Sequence, residues 1–278
     1  MFGKRPDATL VRDLSAMHRF MPYVSPRRND SLFYMKQEIG ADAAYEFIAK
    51  LNQDRPRNRP ITLFHLLLRA MSFALLHRPG VNRFVKAGKI WQRDGVWITF
   101  SAKRKLVDGA PMITIKRRFY PERETLAEMT DATYEQLKAG RAGKKTASEK
   151  EMGWLLRLPG PLIRLALAIF RLGDHLGLVP RKMIDADPLY TSIFVANLGS
   201  INYPAGFHHL WEWGTASLFG VMGKTERDED GSRKFIMAWT YDERMEDGLY
   251  SYHTLEMIRH WIENPETLVD PANPAEDH

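Results

Sequence analysis

Two hydrophobic periods alternate along this chain, and the places where one gives way to the other mark its elements. The run Ser31–Ile39 has the aromatic and apolar content of a strand. Ala44, Phe47, Ile48 and Leu51 then recur at spacings of three and four, which predicts a helix over Ala41–Leu51. Pro56 and Pro60 interrupt that pattern. Thr62 stands where its hydroxyl can accept from an unsatisfied first-turn amide of a strongly apolar core helix, Leu63–Leu76, on which His65 reads as a satisfied core residue. Strands are predicted over Val96–Phe100 and Met112–Lys116, with Val107-Asp108-Gly109 between them as a turn able to reach positive φ. Thr125–Lys138 reads as helix and Tyr190–Asn197 as a strand ending in Leu198-Gly199. Ser217–Met222 and Phe235–Tyr241 read as strands around a polar hairpin, Thr225–Lys234. A last helix, Tyr250–Glu263, stops at Asn264-Pro265, where proline removes a donor. Strands and helices mix without a regular βαβ repeat, so the pattern predicts an α+β domain.

The stretch Trp154–Leu178 departs from this plan. It is rich in leucine and isoleucine, yet Arg157, Arg164 and Arg171 recur every seven residues, and Pro159 with Pro161 resets the helix. Arginines at that spacing argue against a membrane span, which needs about 20 apolar residues. Two readings remain: an amphipathic helix packed on the domain, or an interfacial helix over 153–180 that touches a membrane or a long acyl chain.

Composition narrows the function classes. The 278 residues are 44% hydrophobic, enough for one large domain. We divide them into an arm (1–30), a main domain (31–269) with a helical insertion near 148–184, and a disordered tail (270–278). There is no cysteine, which excludes disulfides, thiolate metal sites and a cysteine nucleophile. That fits a cytoplasmic protein, with peripheral membrane contact if the insertion is interfacial. Met1–Asp7 carries no apolar stretch of signal-peptide length behind it. The net charge of +6 suits phosphate-bearing ligands, anionic membranes and nucleic acid alike. Nucleic acid is set aside because the basic residues are dispersed and no recognition motif accompanies them. Gly140–Thr146 is not a phosphate loop: Lys138 stands where the first glycine belongs and Lys145 where serine or threonine should follow Gly-Lys. It reads as a solvated basic loop.

Three segments carry a resemblance. The first runs from Ala41-Asp42 to His77-Arg78-Pro79-Gly80-Val81-Asn82, similar to a helix ending in a Pro-x-x-Asn turn. The second is Ala196-Asn197-Leu198-Gly199, similar to Ser-Asn-Leu-Gly. The third is Asp242–Gly248, similar to Asp-His-Arg-x-x-Asp-Gly. In this order the set resembles the catalytic domain of the 2-oxoacid dehydrogenase acyltransferases, relatives of chloramphenicol acetyltransferase, over roughly residues 30 to 269. The resemblance implies a two-layer fold with a mixed sheet flanked by helices, and trimers with active sites between subunits. It also implies coenzyme A or acyl-CoA as a substrate, with a small-molecule or lipid acceptor. No lipoyl domain or lipoyl group is expected, so the chain reads as a standalone acyltransferase-like protein or as an inactive acyl-CoA-binding scaffold.

In that family a histidine removes the acceptor's proton and a serine hydroxyl donates to the oxyanion. Glu243 stands in the place of the histidine and Ala196 in that of the serine. Glu243 reads either as a structural acid paired with Arg244 or another basic neighbour, or as a general base whose pKa is raised by burial. Asp247 is expected to pair with an arginine, with Arg27 or Arg28 as candidates, and Asn197 is a possible oxyanion donor. Phe207–Gly214 holds a second constellation. His208 and His209 with Glu212 could supply a displaced base and its orienting carboxylate, or could only bond backbone carbonyls while Trp211 and Trp213 pack. No metal is expected, because no zinc-protease motif or second ligand cluster accompanies the histidines.

Overall fold

The computed structural model describes residues 4–103, 109, 112–142 and 153–272. Val107 and Asp108 of the expected turn, most of the basic loop after Ala142, and 273–278 of the tail lie outside the described residues, while Gly109 has the expected positive φ (72°). Two sheets form the frame. The larger has six strands: β2 (Leu32–Gly40), β5 (Val96–Lys103), β6 (Met112–Phe119), β7 (Ile193–Asn197), β8 (Leu218–Arg227) and β9 (Arg233–Asp242), in the order β2-β9-β8-β7-β5-β6. β7 runs parallel to β5 and β8, and the other pairings are antiparallel, so the sheet is mixed.

Alternation along the strands decides which face is covered. Ile98, Phe100, Ile193, Val195, Met237 and Trp239 bury one face against α2 (Asp42–Leu51), α3 (Leu63–His77) and α7 (Gly248–Glu263), forming the main core. Phe194, Phe219, Val221 and Ala238 point to the other face, which Leu210 and Trp211 cover from a loop. Thr125 caps α4 (Leu126–Arg141), with Glu128 returning a bond to the Thr125 amide at 2.9 Å.

At α3 the expected cap takes a different form. The His65 ring accepts from the Thr62 amide at 3.2 Å, and its Nδ1 lies 2.9 Å from the Thr62 hydroxyl. Burial, and secondarily Arg55, pushes the His65 imidazole down to about 4. In the unfolded chain it titrates near 6.5, so between those values the unfolded state binds more protons and stability falls as pH drops. Guanidinium denaturation at pH 7 and pH 4.5 is expected to show His65 contributing a loss of roughly 2 kcal/mol. His65→Gln should flatten that part of the pH profile.

The arm is structured. β1 (Ala8–Leu10) joins β4 (Lys89–Arg93) and β3 (Arg83–Lys86) in a small sheet with a core of Ala8, Phe84 and Trp91, and α1 (Ala16–Val24) follows under the Ser15 cap. None of these four elements stands out in the hydrophobic pattern. β3 and β4 meet at Ala87-Gly88, where both residues have positive φ (54° and 67°), as a two-residue hairpin of mirror-image turn requires. Alanine there carries the cost that glycine or asparagine would avoid. Elsewhere the boundaries shift. The hairpin expected over Thr225–Lys234 shortens because β8 runs on to Arg227 and β9 starts at Arg233. The start of the expected disordered tail is packed: the Ala272 amide donates to the Pro121 carbonyl at 2.8 Å and Ala272 is buried.

The insertion forms α5 (Gly160–Leu176), which begins after Pro159 and ends on Gly177 in the left-handed conformation (φ 73°), followed by α6 (Arg181–Ala186). One buried acid ties it to the arm. Asp174 meets Arg5 Nη1 at 2.9 Å and Lys86 Nζ at 2.5 Å, and the Tyr190 hydroxyl donates to it at 2.8 Å. Most of the apolar surface of α5 is left open, so the packed-helix reading is not what the fold produces. Among the described residues no helix is long and apolar enough to cross a membrane.

Candidate functional site

The third motif segment forms the turn from β9 into α7, and each of its residues has a distinct task. Asp242 is fully buried and grips Arg244 through two bonds, Nε to Oδ1 at 2.8 Å and Nη2 to Oδ2 at 2.7 Å. Arg28 Nε approaches the same carboxylate at 3.8 Å. Glu243 is anchored by its backbone, its amide donating to the Ser31 carbonyl at 3.0 Å, while its side chain is exposed. Among the described residues no hydrogen bond or ion pair holds the Glu243 carboxylate.

Three expectations are corrected here, the first being the burial expected of a Glu243 base, since its side chain is exposed. Glu243 does not pair with Arg244, because Asp242 and the Ser25 carbonyl take that guanidinium. Asp247 does not pair with Arg27 or Arg28. Its carboxylate accepts from the Tyr250 amide at 2.8 Å and caps α7, a role set by its position one residue before the helix. The arginine partner in this motif is Asp242.

The first and third segments are brought together. The Gly80 amide donates to the Tyr250 hydroxyl at 3.2 Å, and Arg78 lies 3.7 Å from the Tyr250 ring centroid. A Cβ on Gly80 would stand 2.6 Å from a Glu246 carboxylate oxygen and 2.7 Å from the Tyr250 ring, so any side chain there would have to displace both. His18, on α1, was not singled out by the sequence. Its Nε2 donates to the Arg244 carbonyl at 2.9 Å and its Nδ1 lies 4.0 Å from Glu246. It pins the motif turn from the arm, and the only local signal is the Ser15 cap three residues earlier.

The second segment lies elsewhere. Asn197 pairs with Met222, and Met222 with Met237, so Asn197 is level with a point six residues before Glu243 along β9. At about 3.4 Å per residue the two stand roughly 20 Å apart within one chain. Asn197 Oδ1 accepts from the Ser200 amide at 3.1 Å, and the residue lines a cavity of about 390 Å³ with Tyr45, Thr62, Phe64 and Thr225. Ala196 turns to the opposite face, beside the Phe194 and Phe219 cluster.

His208 and His209 are not arranged as a base with its carboxylate. His208 stacks on Phe219 (centroids 4.3 Å, 13°) and on His209 (4.6 Å, 19°), and its Nδ1 donates to the His209 carbonyl at 2.6 Å. Glu212, the expected orienting acid, accepts from the Asn29 amide at 2.9 Å and the Asn29 side chain at 3.0 Å. Trp213 donates to Asp187 at 2.6 Å and stacks on Phe170 of α5. Stacking decided the outcome: Trp211 and His208 converge on the Phe194–Phe219 pair, and His209 completes the packing by stacking on His208.

Solved structures share this arrangement of sheet and helices. A probable dihydrolipoamide acetyltransferase from Listeria monocytogenes is similar at 13% identity and TM-score 0.57, over 91% of this chain and 94% of that one. The fold is that of the acyltransferase catalytic cores. Dihydrolipoamide acetyltransferase from Azotobacter vinelandii matches at 12% identity and TM-score 0.61, over 94% of this chain and 95% of that one. A chloramphenicol acetyltransferase matches at 12% and 0.56, over 95% and 100%. No protein-family model matches the sequence, and no curated protein sequence does. The shared property is therefore the two-layer α+β architecture, with a mixed sheet flanked by helices.

Proposed function

We propose that the chain transfers an acyl group from a thioester such as acyl-CoA to a small-molecule or lipid acceptor, with Glu243 as general base. One observation carries the reading: the Glu243 carboxylate has no partner among the described residues, while its neighbours Asp242, Arg244 and Met245 are buried and fixed. A carboxylate held open on a rigid turn is free to meet a substrate. Asn197 supplies the amide for the oxyanion, since Oδ1 is held by Ser200 and its NH2 is left as a donor toward the cavity. The separation of about 20 Å in register means that Glu243 and Asn197 can act on one substrate only if they come from different copies. Exposed Phe33, Tyr34, Phe207 and Leu249 supply apolar surface for that contact, in keeping with a homotrimer.

Release of free coenzyme A from a panel of acyl-CoA donors tests the activity. Glu243→Gln is expected to lower kcat by about a hundredfold or more, the usual share of a general base. Asn197→Ala should cost a similar factor. Mixing the two inactive variants should restore part of the activity, because sites with an intact Glu243 from one copy and an intact Asn197 from the other would form. An unchanged rate in Glu243→Gln would remove the base.

A second reading is favoured by Ala196 and by the packed His208 and His209, which leave no hydroxyl or imidazole at the expected positions. On it the chain binds acyl-CoA and transfers nothing. Saturable acyl-CoA binding without coenzyme A release would select it.

A further inference from the structure

The insertion helix α5 presents an apolar stripe with no cover. Leu165, Ile169 and Leu172 are 56%, 63% and 59% exposed, Leu162 is about as open, and Trp154, Leu156 and Leu178 extend the surface at either end. At 3.6 residues per turn, Leu162, Leu165, Ile169 and Leu172 fall within about 80° of one another. Phe170 and Asp174 project from the other side of the helix. Phe170 stacks on Trp213 (4.9 Å, 23°), and Asp174 is buried in its ion pairs with Arg5 and Lys86. The helix is therefore fastened by one side, and the stripe points away from the body that fastens it.

Charge identifies what the stripe faces. Arg164 and Arg171 are exposed on one flank of the helix, about 80–100° round from the stripe. They bound an open groove lined by Leu167 and Ala168, with the Arg171 guanidinium 5.9 Å from the Trp213 ring centroid, and exposed Arg157 precedes the helix. Residues 153–181 contain one acid, Asp174, and it is buried and neutralised. The outward surface is thus apolar and cationic, with no exposed carboxylate. Opposing this surface to its own copy about a two-fold axis would set arginine against arginine with nothing between them. An aqueous anion alone would leave the leucines in water.

We propose that this side of α5 docks on the surface of an anionic phospholipid bilayer, with Leu162, Leu165, Ile169 and Leu172 entering the headgroup and acyl boundary and the arginines meeting lipid phosphates. An interfacial helix needs an apolar face, a cationic flank free of exposed acids and a length short of a span, and α5 has all three. The docking stands independently of the acyl-transfer reading, since it uses none of Glu243, Asn197 or the motif turn.

Vesicle flotation with the full chain tests it, using phosphatidylcholine vesicles and vesicles of phosphatidylcholine mixed with phosphatidylserine. The protein should float with the mixed vesicles and stay behind with the neutral ones. Arg164→Gln with Arg171→Gln should weaken partitioning about thirtyfold, at roughly fivefold per arginine near the surface. Leu165→Glu with Ile169→Glu should weaken it by about a hundredfold or more. All four positions are exposed, so both double variants should keep the wild-type melting temperature and oligomeric mass. Failure of the wild-type chain to float with anionic vesicles would overturn the proposal, as would flotation unaffected by the leucine and isoleucine changes. A fall in oligomeric mass in Leu165→Glu with Ile169→Glu would overturn it too, by showing that the stripe joins copies of the chain.

Discussion

Asp242→Ala is expected to destabilise the fold by about 3–5 kcal/mol, read as a lower midpoint in guanidinium denaturation. The carboxylate is fully buried and faces two buried guanidinium groups, those of Arg244 and Arg28. Removing it leaves both cations without the charge that compensates their desolvation, and Arg244 also holds the Ser25 carbonyl. Asp247→Ala, five residues on, removes a helix cap and should cost only about 1 kcal/mol. The contrast separates the two aspartates of one short motif. Asp242 also sets the turn that holds the proposed base, Glu243, outward.

Asp174→Ala should have an effect of the same size, about 3–5 kcal/mol, through a different part of the molecule. Lys86 and the Tyr190 hydroxyl lose their partner in one step and Arg5 is left with Asp7 alone as counter-charge, and each comes from a different segment: the small sheet, the approach to β7 and the arm. Asp174→Asn keeps the shape and loses the charge, so it should recover little. The same change should loosen α5, and protease cleavage near 153–180 is expected to quicken in Asp174→Ala before global unfolding sets in. If cleavage and denaturation midpoint are both unchanged, the pairings do not fasten the insertion.

Much of the larger sheet and its helices was legible in the sequence because those elements are long and bury one face. Leu63–His77 and β7, β8 and β9 announce themselves through runs whose period matches their burial. The small sheet was not legible. Arg83–Lys86 and Lys89–Arg93 are short, begin and end in cations, and turn on Ala87-Gly88 instead of the Asn-Gly or Asp-Gly that signals a hairpin. The short α1 was hidden by Pro22 near its end and by an apolar side that the chain itself does not bury: Met17, Phe20, Tyr23 and Val24 are exposed. At the site, the sequence singled out Glu243, Asn197 and Asp247 from their neighbours in the chain. What it could not supply were partners set by distant contacts. Glu212 is claimed by Asn29 and His208 by Phe219, while Asp242 rather than Asp247 meets Arg28. Each of those choices depends on the register of the sheet and the course of the loop across it.

If Asn197 and Glu243 act on one substrate as proposed, the distance between them along the sheet has a consequence for regulation. Chemistry that needs one group from each of two chains obeys mass action in the protein itself: dilution below the self-dissociation constant removes sites while leaving every chain folded. Specific activity should then rise with enzyme concentration before it levels off. Doubling the amount of protein in a cell would more than double its output in that range.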